Sequence, residues 1–281
     1  MTLTHIIALA LIQGLTEFLP VSSSAHLILP SQVLGWPDQG LGFDVAVHVG
    51  TLAAVCIYYF RDLLKIAAGV ITAALGRGMG TPAKIGFCMV IATIPAALAG
   101  MLFEADISTM ARSIRVIAWT TIIYGLLLGL ASLLNRRVLR TDPQEAGGRP
   151  DSLKPLTWTR AIVIGLAQAL ALVPGTSRSG ITLTAGLFLG MRPQAAARFS
   201  FLLSVPVILA SGVLEGHKLI ANPGLSGASW SDMLLGALIS FASALAVIHF
   251  FMKFIARSGM AAFVIYRLAL GAALLAFIAE A

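Results

Sequence analysis

Six apolar stretches, at about 43–60, 84–103, 115–134, 197–214, 231–254 and 260–279, come close to the roughly 20 residues that a helix needs to cross a bilayer. Four shorter ones do not. Residues 3–19 and 24–34 are separated by Pro20 and the serines after it, and residues 159–172 and 180–190 are separated by Pro174 and the turn residues that follow. A stretch of that length is predicted to enter the membrane, break and return, as one re-entrant helix pair. Irregular backbone at that depth is tolerated only where it is buried in protein or lines a cavity. The pattern predicts an all-α integral membrane protein of two halves, each one re-entrant pair plus three transmembrane helices. The first half is 1–134 with its pair at 3–34, and the second is 159–281 with its pair at 159–190. Residues 135–158, with Arg136, Arg137, Arg140, Gly147, Gly148 and Pro150, are expected to form a polar, flexible cytoplasmic linker.

Composition agrees with this class. A chain with 58% hydrophobic and 11% charged residues has too few charges to cover a soluble surface. Its net charge of +7 raises nucleic acid as a partner, but the basic residues sit in the connections between apolar stretches, as topology signals do. Most of them, from Arg61 and Lys65 through Arg136 and Arg137 to Lys253 and Arg257, fall on one side, while Arg112, Arg115 and Lys218 fall on the other. The positive-inside rule makes the richer side cytoplasmic. Both termini then lie outside, and the two halves run in opposite orientations. That is an inverted-topology repeat, whose broken helices should meet near the midplane. Cys56 and Cys88 lie in apolar segments without metal-ligand spacing and read as packing residues. Residues 1–25 lack a basic leader segment and are read as retained rather than as a cleaved signal.

The chemistry is concentrated at the two breaks, QGLTEFLPVSSSAH (Gln13–His26) and QALALVPGTSRSG (Gln168–Gly180). Aligning Pro20 with Pro174 pairs Ser22 with Thr176, Ser23 with Ser177 and Ser24 with Arg178. Gln13 and Glu17 are four residues apart and share a helix face. A carboxylate at membrane depth needs a cation, a metal or a proton. Ser22, Ser23 and Ser24 stand where a helix N-cap belongs, and Gly175, Thr176, Ser177 and Ser179 occupy the matching turn. Two helix N-termini aimed at one site suit phosphate or carboxylate groups. Arg178 must meet an anion there, either a two-point phosphate contact or Glu17. His26, one turn beyond the serines, has the chemistry of an acid, base or nucleophile. Asp44, His48 and Thr51 weigh more as a helix end than as a site mouth. Tyr266 and Arg267 are expected to snorkel.

These residues resemble the undecaprenyl-diphosphatase family, the bacitracin-resistance membrane phosphatases. The likeness rests on GLTEFLPVSS-x-x-H (Gly14–His26), PG-x-SRSG (Pro174–Gly180) and FSFLLSVP (Phe199–Pro206), and spans nearly the whole chain. It implies hydrolysis of the C55 isoprenoid diphosphate carrier of cell-wall synthesis, in the bacterial cytoplasmic membrane; the charge distribution puts the site on the periplasmic side. It also implies that Glu17 is the essential acid, His26 the histidine, Ser22 and Ser23 the serines and Arg178 the phosphate-gripping arginine. Gln13, Ser24, Gly175, Thr176, Ser177 and Ser179 would complete substrate binding. A divalent ion, Mg²⁺ or Ca²⁺, is implied at Glu17, although Gln13 stands where the family commonly has a second glutamate. Ser23, His26 and water all remain open as the nucleophile. A transporter or flippase of polyprenyl phosphate is the rival reading, since inverted repeats with midplane breaks serve transport as well. A homodimer is a further expectation; nucleic acid is not.

Overall fold

A computed structural model describes residues 1–103, 113–141, 149–222, 224 and 226–280. The expected positions Arg112, Gly147 and Gly148 lie outside the described residues. Among those described, every regular element is a helix. Six helices are long and apolar enough to cross a membrane: α3 (Gly40–Tyr58), α5 (Thr81–Leu102), α6 (Ile114–Thr141), α9 (Pro193–Ala221), α10 (Trp230–Ser258) and α11 (Ala261–Glu280). All six fall on the stretches read from the sequence, with several ends running further. The chain is thus an all-α, multi-pass membrane protein. The remaining helices are α1 (Leu3–Thr16), α2 (Ser23–Val33), α4 (Phe60–Ala74), α7 (Trp158–Ala169) and α8 (Arg178–Phe188).

Neither α1 nor α2 can span alone, because 14 and 11 residues at 1.5 Å each give about 21 and 17 Å. The same holds for α7 and α8, which a single 3₁₀ turn (Leu170–Leu172) and a loop separate. Of the four short helices, α8 is the most buried. Every residue of α8 from Ser179 to Leu187 is buried, and it packs on α6, α7 and α9. Helices in lipid gain little from burial against one another, so close approach through small residues does the work. A side chain at Gly165 would put its Cβ 2.6 Å from Ala92 Cα, so only glycine lets α7 lie on α5. On the other side α3 packs on α10, with the Ser240 hydroxyl donating to the Val47 carbonyl at 2.8 Å.

Two regions differ from the sequence reading. The stretch after Tyr59 holds α4, an amphipathic helix of which only Ile66 is buried, as expected for a helix lying in a membrane interface. The polar segment from Asn135 is not a linker at its start. α6 continues to Thr141, and the buried Asn135 amide donates to the carbonyls of Leu187 (2.7 Å) and Met191 (3.0 Å), closing the C-terminal end of α8. Leu153 and Leu156 are likewise buried. Arg198 joins this region to its surroundings through Asp62 at 2.7 Å and Asp151 at 3.2 Å.

Candidate active site

The two breaks share one unusual backbone feature. Ser22 (φ 75°) and Ser177 (φ 73°) are the non-glycine residues with positive φ among those described, and each immediately precedes the helix that follows its break. Such conformations store on the order of 1–3 kcal/mol and persist only where the surroundings impose them. In each copy the serine hydroxyl lies near that of the serine two residues on, Ser22 to Ser24 at 3.3 Å and Ser177 to Ser179 at 3.2 Å. The local equivalence is therefore one residue away from the alignment on proline. Ser22 matches Ser177, and Ser23 matches Arg178. Gly175 then stands opposite Pro20, and its φ of 86° lets the second loop turn against α6. In this register Gln13 matches Gln168, each nine residues before its serine. Both side chains are buried, and in both the amide oxygen has no hydrogen-bond partner.

Glu17 is the meeting point. It is 7% exposed, so its charge needs partners close by. Oε1 accepts from the Arg178 guanidinium at 2.5 Å, and Oε2 accepts from the Ser23 hydroxyl at 2.7 Å and the Gln13 amide at 3.0 Å. The first residues of the two half-helices thus converge on one carboxylate, one as a hydroxyl and one as a cation. A second bond locks the breaks together, from the Ser179 hydroxyl to the Leu19 carbonyl at 2.8 Å. Arg178 also donates to the Ser200 carbonyl at 3.3 Å. The buried Thr176 hydroxyl, in the second loop, has no partner. An unpaired buried polar atom calls for an explanation, and a ligand oxygen is one.

Capping follows only half of the expectation. Ser177 accepts from the Gly180 amide at 3.1 Å, but Ser22 makes no side-chain cap, so the first-turn amides of α2 lack a side-chain acceptor. Ser24 is exposed. His26 makes no hydrogen bond to Glu17 or Ser23. Its Nδ1 donates to the Ser22 carbonyl at 2.7 Å, since a carbonyl only accepts, and Nε2 meets the Tyr266 hydroxyl at 2.6 Å.

Residues given little weight in the sequence come to the site instead. His48 Nε2 stands 3.8 Å from Glu17 Oε2, with Nδ1 donating to the Asp44 carbonyl at 2.7 Å. Its position one turn after Asp44 was visible, but nothing in the spacing said which way that face of α3 pointed. The snorkelling expectation is overturned for Arg267, while Tyr266 is partly exposed. Tyr266 holds His26, and Arg267 is 1% exposed, bonded to carbonyls of both breaks. Beside them lies an apolar cavity of about 520 Å³, lined by Leu19, Val21, Phe250, Phe254, Phe263 and Tyr266 among others.

For a divalent ion, no group of three or more His, Cys, Asp or Glu side chains converges among the described residues. The oxygens on offer are the Glu17 carboxylate and the unpaired Gln13 Oε1. Hard cations can be held by one or two carboxylates together with substrate phosphates, and this donor set fits that mode but not an all-protein cage.

Comparison with known proteins adds a family. A family model described as Bacitracin resistance protein BacA matches residues 6–273. An undecaprenyl-diphosphatase of Teredinibacter turnerae is 51% identical over 271 residues, covering 96% of this chain and 97% of its own. Undecaprenyl-diphosphatase 1 of Pseudoalteromonas translucida is 50% identical over 278 residues, with 99% of both chains covered. The undecaprenyl-diphosphatase of Alcanivorax borkumensis is 52% identical over 273 residues, with 97% and 98% covered.

Proposed function

The chain belongs to the family of bacitracin resistance proteins, and on that premise we propose that it is a membrane phosphatase, hydrolysing undecaprenyl diphosphate to undecaprenyl phosphate and inorganic phosphate. The relatives' names describe a hydrolase and give the transporter reading no support. The single observation that carries the chemistry is the convergence of Ser23 and Arg178 on the buried Glu17. Ser23 is the nucleophile in this reading. Its Oγ attacks the terminal phosphorus as its proton passes to Glu17 Oε2, the bond to the bridging oxygen breaks, and Glu17 hands that proton to the departing lipid monophosphate. Water, deprotonated by the regenerated Glu17 carboxylate, then attacks the phosphoserine; the Oγ–P bond breaks, Ser23 Oγ takes the proton from Glu17, and inorganic phosphate leaves. Catalysis of this kind is mostly positioning and charge stabilisation. Arg178 turns from Glu17 to the phosphoryl oxygens, and the amides of the α2 first turn, with Ser22, Ser24, Gly175, Thr176, Ser177 and Ser179, hold the diphosphate. His26, held by Ser22 and Tyr266, sits at the junction of headgroup and tail rather than on the proton path. The cavity beside it suits an isoprenoid chain. A bound Mg²⁺ or Ca²⁺ would rest on Glu17, Gln13 and the diphosphate and would neutralise phosphate charge.

The reading extends to architecture. We infer two inverted halves, 1–134 and 159–281, joined through 135–158. The shared serine backbone, the paired hydroxyls and the matching glutamines at the two breaks support this. The site faces the periplasmic side, a reading that rests on the charge distribution. Arg198, Asp62 and Asp151 meet, as expected for residues that this distribution puts on one face. Dimerisation belongs to the same reading, on the resemblance alone.

The test is phosphate release from undecaprenyl diphosphate by the purified protein in detergent, with and without divalent metal, beside Arg178→Ala and Glu17→Gln. Release by the wild type and its loss in both folded variants is expected. Equal release by all three proteins would remove the site from the reaction.

A further inference from the structure

Arg267 is the largest side chain shut off from solvent, and among the described residues no carboxylate pairs with it. Its partners are all backbone carbonyls. Nε donates to Thr121 (3.1 Å), one terminal nitrogen to Pro20 (3.1 Å), and the other to Gly175 (2.8 Å) and, more weakly, Thr120 (3.4 Å). Pro20 and Gly175 each lie two residues before the positive-φ serine of their break, so the guanidinium grips the same carbonyl in both copies. Thr120 adds a hydroxyl bond to the Pro174 carbonyl at 2.6 Å. Two glycines make room for the side chain. A Cβ on Gly125 would stand 3.0 Å from Arg267 Cβ, and one on Gly180 would stand 3.5 Å from a terminal nitrogen.

The physical logic follows from the breaks themselves. Where a helix ends at membrane depth, its last carbonyls lose their amide partners and no water replaces them. A planar, permanently charged fork can satisfy several at once, which a lysine ammonium cannot match in geometry. The same fork also fixes the distance between the loops it bridges. Ser23 starts three residues after Pro20, and Arg178 three after Gly175, so their meeting at Glu17 depends on that distance.

We propose that Arg267 is a positioning residue of the phosphatase reaction, a buried clamp that sets the register between Ser23 on the first break and Arg178 on the second without touching substrate. This rests on the phosphatase reading given above. The experiment is a double-mutant cycle on the full-length protein in detergent, with wild type, Arg267→Lys, Arg178→Lys and the double variant. Phosphate release from undecaprenyl diphosphate is measured, and each protein is checked for a monodisperse peak and a cooperative melt. For a misplacement on the ångström scale, Arg267→Lys is expected to lower kcat by about 100-fold with KM changed less than about threefold. Because the clamp acts through Arg178, the double variant should fall no more than about threefold below Arg178→Lys alone, whereas independent roles would multiply. Gly125→Ala presses on the Arg267 stem while leaving the guanidinium in place, and serves if Arg267→Lys does not fold; a lowered kcat with KM retained is expected there too. An unchanged kcat in the folded variants, or losses that multiply, would overturn the clamp alone. No release by the wild type would overturn the phosphatase reading and the clamp with it.

Discussion

The two breaks carry the same backbone and do different work. In the second, Ser177 caps its helix and α8 is buried along Ser179–Leu187. In the first, Ser22 caps nothing, Ser24 is exposed, and α2 buries only Ala25, Leu27 and Pro30. One residue past the strained serine, the buried copy presents a cation and the open copy a hydroxyl. The shared backbone thus carries a buried scaffold that holds the cation and a more open face that holds the serine hydroxyl. The free first-turn amides of α2 fit that division, because a cap would occupy donors that a phosphate can use.

The comparison can be broken most sharply by matched substitutions. Ser23→Ala is expected to reduce phosphate release by about 10³-fold or more while the protein still folds, as for loss of the attacking group. Ser177→Ala should instead act first on stability, by about 1 kcal/mol for a lost cap, read as a lower melting temperature. Similar activity losses in both would dissolve the distinction. Next in size is His26→Gln. Its bonds run to Ser22 and Tyr266, so a loss of about tenfold is expected, well below the usual range for a general acid or base. A loss matching that of Ser23→Ala would return His26 to the proton path. Tyr266→Phe, which removes only the hydroxyl, should cost less again.

The smallest effect concerns the strain itself. Ser22→Gly relieves a positive φ without removing a cap, and should leave the melting temperature equal or higher, by up to about 1 kcal/mol of stability. Ser177→Gly gains the same relief but loses the cap, so it should be the less stable of the two. Orientation is tested separately by single cysteines placed at Asp38 and Thr141 and labelled from outside the cell; labelling of both would reverse the assigned sidedness of one half.

Much of this was legible in the chain. Span length and composition are local properties, and the bilayer imposes them on every candidate helix, so six spans and two short broken pairs could be read directly. Glu17 and Arg178 stood out because charges among apolar residues are costly wherever they fold. What could not be read was anything depending on which helix faces which. The proline alignment missed the register by one residue, because Pro20 stands two residues before Ser22 and Pro174 three before Ser177, and only the positive φ of the two serines shows that they correspond. Arg267 looked like a snorkelling side chain near a helix end, and only the convergence of four carbonyls from three places in the chain makes its burial affordable. His48 was one polar residue on a helix until α1 delivered Glu17 beside it. The sequence by itself determined the class of protein, its spans and the residue types at the two breaks, since each follows from hydrophobicity and short-range order. Only the tertiary structure decided that those breaks meet on one carboxylate, that one is capped and the other open, and that a distant arginine joins them, because those are contacts between segments far apart in the chain.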